Sequence, residues 1–188
     1  MGSDITVVIP SIPPRAGLLH SRALPSVLAQ SLPPDEVIIA IDHDRKGAGP
    51  TRTRALRRVA TEWVAFLDDD DELLSQHLET LKHWAVKKDA DVVWSWFSAP
   101  DGGDVLGARG RQWDPANPHT FPITALVRTS FAQRCEFPAP VTDNFSGDDF
   151  PFWTCVSAAG ARFFHVSDIT WRWWNKHGGN TSGAPGRW

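Results

Sequence analysis

A chain of 188 residues, 41% hydrophobic and 22% charged, has material for one substantial core and not for two. A formal charge of -3 gives no electrostatic basis for binding nucleic acid or an anionic membrane, no apolar run approaches the roughly 20 residues that span a bilayer, and the N-terminus lacks a secretory leader's basic and apolar regions. A cytoplasmic protein is expected, with Cys135 and Cys155, which lack metal-ligand spacing, as buried core thiols.

In chain order, Ile5 to Ile9 is a β-branched run stopped by Pro10, and Pro13-Pro14 extend the break into a loop. Leu18, Leu19, Ala23, Val27 and Leu28 recur at helical spacing, predicting a helix from about Leu18 to Gln30. The run "EVIIAI", Glu36 to Ile41, predicts a second strand closed by Asp42. Strand, helix, strand is a βαβ unit, whose ligands sit outside the carboxyl ends of its strands. A flexible "RKGAGP" segment then leads to a helix from about Thr51 to Ala60. Of its arginines, Arg52 lies nearest the amino end and points best toward that ligand edge, suited to phosphate oxygens.

The strand from Glu62 to Leu67 runs without a spacer into Asp68, Asp69, Asp70, Asp71 and Glu72. Adjacent carboxylates repel one another and raise some of their own pKa values unless a cation lies among them. A divalent metal such as Mg²⁺, which prefers oxygen ligands, meets that need; a solvated strand-to-helix turn with capping aspartates is the other reading. A helix from Leu73 to about Lys88 and a strand from Asp91 to Phe97 follow. Residues 100–122, rich in Gly, Pro, Asn and Asp, form a long loop. "ITALVR" resumes as a strand, and "NFSGDDFPFW" enters a helix with Pro151 in its first turn and Gly160 as its stop. Asp148 and Asp149 therefore sit at a helix amino terminus, where the macrodipole favours negative charge. "RFFHV" and "ITWRWW" predict two more strands, and the tail from Lys176 is irregular. Ten Trp stand against no Tyr; most serve the core, and their flat faces also suit sugar rings or bases.

Taken in order, "TVVIP", "ALPSVLAQSLPPDEVIIAID", "GPTRTRAL", "EWVAFLDDDDELL", "GDDFPFW" and "HGGNTS" resemble the family 2-type glycosyltransferases of GT-A fold, densely over residues 4–98 and in outline over 145–182. The resemblance implies one α/β domain with a mostly parallel central sheet flanked by helices. Residues from about 1 to 98 would hold the sugar nucleotide, and about 99 to 188 the acceptor side and catalytic base. It implies a metal-dependent, inverting transfer from a nucleoside-diphosphate sugar to an acceptor hydroxyl, with a UDP-sugar favoured, GDP- or TDP-sugars possible, and Mn²⁺ or Mg²⁺ as cofactor. Carried over by position, Pro10, Asp42, Arg52, Asp68 and Asp69 bind donor, Asp42 at the base. Asp70 and Asp68 hold the metal, with Asp69 and Asp71 as competitors because four Asp in a row leave the register open. Asp149 is the general base, Asp148 its supporting acid, and His177 a late residue near the phosphates and a further metal ligand.

Several positions depart from the family pattern. Asp42-His43-Asp44-Arg45 replaces a frequent Asp-Asp-Gly-Ser, Thr53 a frequent Asn, and Asp148 the usual Glu. Arg172-Trp173 is similar to an element of processive synthases, but Ile169 occupies its Gln position and membrane helices are lacking. Three rival readings are weaker. A sugar-nucleotide-making nucleotidyltransferase needs a Gly-rich basic loop after the first strand, where "SIPPRAG" offers one Gly and Arg15. A calcium loop beginning at Asp68 has Leu73 where Gly is required. A non-catalytic sugar-nucleotide or carbohydrate binder has no need of Asp149. The acceptor, whether glycan, lipid-linked sugar, protein or nucleic-acid base, is left open.

Overall fold

The computed structural model describes residues 2–99, 109–115, 123–139 and 149–174. Its frame is a seven-stranded sheet in the order β2-β1-β3-β6-β5-β7-β4. Strand β1 (Ile5–Ser11) is buried along its whole length and pairs in parallel with β2 (Glu36–Ile41) and β3 (Trp63–Phe66). Strand β6 (Ala125–Arg128) runs antiparallel to β3 and to β5 (Val92–Ser98), and β7 (Phe163–Arg172) is parallel to β5. Strands β1, β2, β3, β5 and β7 thus point one way, and their carboxyl ends share one edge.

Alternation along β1 and β3 serves two cores, as a sheet covered on both faces requires. Ile5, Val7, Ile9 and Ala65 pack on one face with Val27 of α2 (Leu24–Leu28) and with Leu78 and Leu81 of α4 (His77–Lys88). Val8, Val64 and Phe66 pack on the other with Ala55 and Leu56 of α3 (Ala48–Leu56), Ala132 of α5 (Thr129–Ala132), and Phe152 and Trp153 of α6 (Asp149–Ala158). The first predicted helix is observed as α1 (Ala16–Leu18), a π-helical turn (Leu19–Ala23) and α2. Among the described residues no helix is long and apolar enough to cross a membrane.

Three expectations are corrected. The helix expected from Leu73 begins at His77, because Glu72–Leu73 form strand β4, which pairs antiparallel with Arg172 and Trp171 of β7. Ser26 Oγ accepts the Leu73 N–H at 3.1 Å, and the Leu74 N–H donates to the Thr170 carbonyl at 2.9 Å, so this segment's backbone is tied to α2 and β7. "RFFHV" and "ITWRWW" are one strand, β7, which follows β5 through two register shifts rather than turning back. Cys135 and Cys155 are not free thiols but form a disulfide. They lie 20 residues apart, and only the packing of α5 and α6 on one sheet face brings their Cα atoms to 5.9 Å.

The bridge closes the loop that contains the start of α6. By loop-closure entropy it contributes about 3 kcal/mol. Replacing both cysteines by serine should lower the urea midpoint by a corresponding amount under non-reducing conditions. An unchanged midpoint would mean that the bridge does not hold the fold.

Candidate active site

The site starts where β3 leaves the sheet. Leu67 is fully buried and donates its N–H to the Val8 carbonyl at 3.1 Å, so Asp68 to Asp71 emerge at the carboxyl edge beside the end of β1. The turn closes on itself through the Asp71 N–H to the Asp68 carbonyl, 3.2 Å. Its four side chains then part company. Asp69 turns back toward β1: Ser11 Oγ donates to it at 2.6 Å, and Arg15 Nη1 meets it at 3.0 Å. The same Arg15 nitrogen lies 3.0 Å from Asp70. Carboxylate oxygens of Asp68, Asp70 and Asp71 lie within 4.8 Å of one another.

Arginines and a tryptophan brace this turn. Arg22 Nη1 donates to the Asp70 carbonyl at 2.7 Å, and its guanidinium stacks 4.3 Å over Trp174. The Trp174 N–H in turn donates to Asp71 at 2.9 Å. Arg52 of α3 donates through Nη2 to Asp68 and through Nη1, at 3.4 Å, to Asp149. Asp149 is the first residue of α6 and partly buried.

Charge in this cluster is under-compensated. Burial, then the neighbouring Asp68 carboxylate, push Asp70 up to about 6. Burial and the Asp68 and Asp70 charges push Asp71 well above the usual carboxylate range. Asp69 is raised by burial, against the pull of Ser11 and Arg15. Three converging oxygen donors, of which Asp70 and Asp71 resist their own ionisation, fit a hard divalent cation, whose charge would remove the penalty.

The predicted site residues separate accordingly. Pro10 lies near the carboxyl end of β1, opposite Ala40. Asp42 is 1% exposed and accepts the N–H groups of Lys46 at 3.1 Å and Gly47 at 2.7 Å. It thereby shapes the turn in which Gly47, at φ 95°, starts α3. Arg52, Asp68, Asp70 and Asp149 come together at one edge, Asp71 joins the metal-type cluster, and Asp69 faces away from it. Asp148 and His177 lie outside the described residues. Ser11, Arg15, Arg22 and Trp174 were not anticipated here. The signal for Arg15 was the Pro13-Pro14 turn, which stops β1 and returns the next basic side chain to the ligand edge.

The profile of glycosyl transferase family 2 matches residues 20–153. The chain belongs to glycosyltransferase family 2. No curated protein matches the sequence. Among solved structures, S. aureus TarS 1–349 in complex with UDP-GlcNAc is similar at TM-score 0.79 and 17% identity over 98% of this chain and 61% of that one. The mannosyltransferase PcManGT from Pyrobaculum calidifontis, in complex with GDP-Man and Mn²⁺, is similar at TM-score 0.67 and 18% identity over 93% of this chain and 58% of that one. At such identities the likeness establishes the GT-A fold. The chain spans about three fifths of the length of each of these two chains, and 36% of the longer S. aureus TarS chain.

With its pKa raised in the folded state to about 6, ionised Asp70 weighs against the fold. That penalty is absent below the unfolded value near ~4 and grows as pH rises through the folded one. The melting temperature of cation-free protein, compared with Asp70→Asn, should therefore fall across this window. Mn²⁺ should raise it more at about pH 7 than at about pH 5, because the cation competes with protons for the carboxylates. An Mn²⁺ effect that is absent or independent of pH would contradict the assignment.

Proposed function

We propose that this chain is a metal-dependent, inverting glycosyltransferase that moves a sugar from a nucleoside-diphosphate sugar to an acceptor hydroxyl. The observation that carries the reading is the convergence, at one edge of a family 2 domain, of the Asp68, Asp70 and Asp71 carboxylates with Asp149, spanned by Arg52. Residues from about 1 to 98 form the donor half and about 99 to 188 the acceptor half. Nucleotide sugars in TarS and PcManGT, and Mn²⁺ in the latter, support this donor class. A UDP-sugar is favoured, with GDP- and TDP-sugars as alternatives.

Asp68, Asp70 and Asp71 would hold Mn²⁺ or Mg²⁺. Bound there, the ion supplies Lewis-acid stabilisation of the charge that builds on the departing diphosphate. Ser11, Arg15 and Arg22 fix the acidic turn, so that its carboxylates are held before the donor arrives. Asp42 acts on the donor side by setting the loop ahead of α3, with Pro10 at the neighbouring strand end. Asp149 faces two sources of positive potential, the amino end of α6 and the Arg52 guanidinium. As general base it takes the acceptor proton while the acceptor oxygen attacks the anomeric carbon. A single displacement inverts that centre. Asp148 as supporting acid and His177 near the phosphates are assigned by family resemblance. A cytoplasmic setting belongs to the same reading, and the disulfide sets a condition on it, since cytosolic thiols are kept reduced.

The test separates binding from chemistry. UDP, GDP and TDP, each with Mn²⁺, Mg²⁺ or EDTA, are screened by thermal shift, and hydrolysis of the matching sugar nucleotides is followed. One nucleotide should raise the melting temperature only with metal. Asp70→Asn should lose that shift. Asp149→Asn should keep it while turnover falls by about 100-fold or more. Wild-type turnover by Asp149→Asn would overturn the base assignment.

A further inference from the structure

Arg52 occupies a position that phosphate binding alone does not explain. Its side chain is 4% exposed, and its two terminal nitrogens address different carboxylates on different elements: Nη2 meets Asp68 at the end of β3, and Nη1 meets Asp149 at the start of α6. The surrounding walls are fastened to one another. Thr53 Oγ1, on the next residue of α3, accepts the Phe137 N–H at 2.9 Å and donates to the Phe137 carbonyl at 3.3 Å. The Phe137 ring lies 5.7 Å from the Arg52 guanidinium carbon and stacks at 3.7 Å on Phe152 of α6. Two residues before Phe137, Cys135 is bonded to Cys155 of α6. Helix α3, the segment at 135–139 and α6 are therefore held at a fixed spacing, which the guanidinium bridges.

We propose that Arg52 is, besides any contact with donor, a positioning residue for the general base: it holds the Asp149 carboxylate in register with the donor site through Asp68. This rests on the reading of Asp149 as base given above. The physical reason lies in the fork. A guanidinium presents rigid, planar N–H groups along separate directions, so one side chain fixes two carboxylates relative to each other. A lysine ammonium carries the same charge at a single point and does not impose that geometry. Enclosed by Phe137 and α6, Arg52 has little freedom to follow a diphosphate as it departs. The carboxylate it steadies must lie within hydrogen-bond reach of the acceptor hydroxyl, where an error of about 1 Å costs about 100-fold in rate.

The experiment is a kinetic double-mutant cycle on the full chain with Arg52→Gln, Arg52→Lys, Asp149→Asn and the Arg52→Gln/Asp149→Asn pair. Two quantities are read: the dissociation constant of UDP in the presence of Mn²⁺, by calorimetry, and kcat for hydrolysis of whichever UDP-sugar the wild type turns over fastest. Both Arg52 variants should lose about 10- to 100-fold in kcat, while their affinity for UDP with Mn²⁺, which Arg52 reaches through the Asp68 contact, falls by less than about tenfold. In the Asp149→Asn background, Arg52→Gln should change kcat by no more than about twofold. Should Arg52→Gln fail to fold, Arg52→Lys, which retains the charge, carries the comparison. UDP binding weakened tenfold or more at unchanged kcat would make Arg52 a phosphate clamp and overturn the proposal, as would losses in kcat that simply multiply in the double variant. If the thermal-shift screen selects GDP or TDP, that nucleotide and its sugars replace UDP in both readings; a wild type that binds none of the three with Mn²⁺ and hydrolyses none of their sugars removes the donor reading itself, and the base-positioning role with it. Multiplying losses in an active wild type remove the Arg52 role alone.

Discussion

Burial of four consecutive aspartates at the end of β3, compounded by their mutual repulsion, is the constraint on which the site depends. A buried apolar strand delivers them to the sheet edge whether or not they are comfortable there. Arg15 meets Asp69 and Asp70, Arg52 meets Asp68, and Asp71 takes a backbone N–H from Trp174. Even so, Asp70 and Asp71 remain displaced toward their protonated forms. An edge built this way is stable enough to fold and still favours added positive charge, the property a cation-dependent donor site needs.

The rest of the fold keeps that edge in place from both sides of the sheet. On one face, Ser26 of α2 and Gln30 just beyond it reach the segment after the acidic turn, their side chains bonding the backbone at Leu73, Leu74 and Leu78. On the other, α3 and α6 bring Arg52 and Asp149 to the same edge, with Phe66, Phe137, Phe152 and Trp153 filling the space between them. A described piece of the long loop is fastened to this second layer: Trp113 stacks on Phe163 at 4.7 Å and donates to Ser157 Oγ at 3.1 Å. The acidic turn, Arg52 and Asp149 therefore share one rigid support, which suits the proposed transfer, a reaction governed by alignment.

Much of this was legible where the signal is local. The strands at Ile5, Glu36, Trp63 and Val92 announce themselves as β-branched or aromatic runs, and α4 by its periodicity, because burial alone dictates those patterns. What depended on distant partners was not legible. Glu72 and Leu73 look helical until β7 pairs with them, and Cys135 and Cys155 look like free thiols until α5 and α6 meet. The run of four aspartates left the metal register open, and the Ser11 hydroxyl and Arg15 separate Asp69 from its neighbours by turning it toward β1. Asp42 carries a role in loop shape that no motif encodes, because its partners are backbone amides.

The most direct test of the central claim is a crystal structure of the chain grown with UDP and Mn²⁺, with the manganese located by its anomalous scattering. The account predicts one ion bound by oxygens of the Asp68 to Asp71 turn, carrying the diphosphate on its open side, with Asp149 facing the outer phosphate. A nucleotide bound without an ion at that turn, or manganese sited elsewhere, would contradict it.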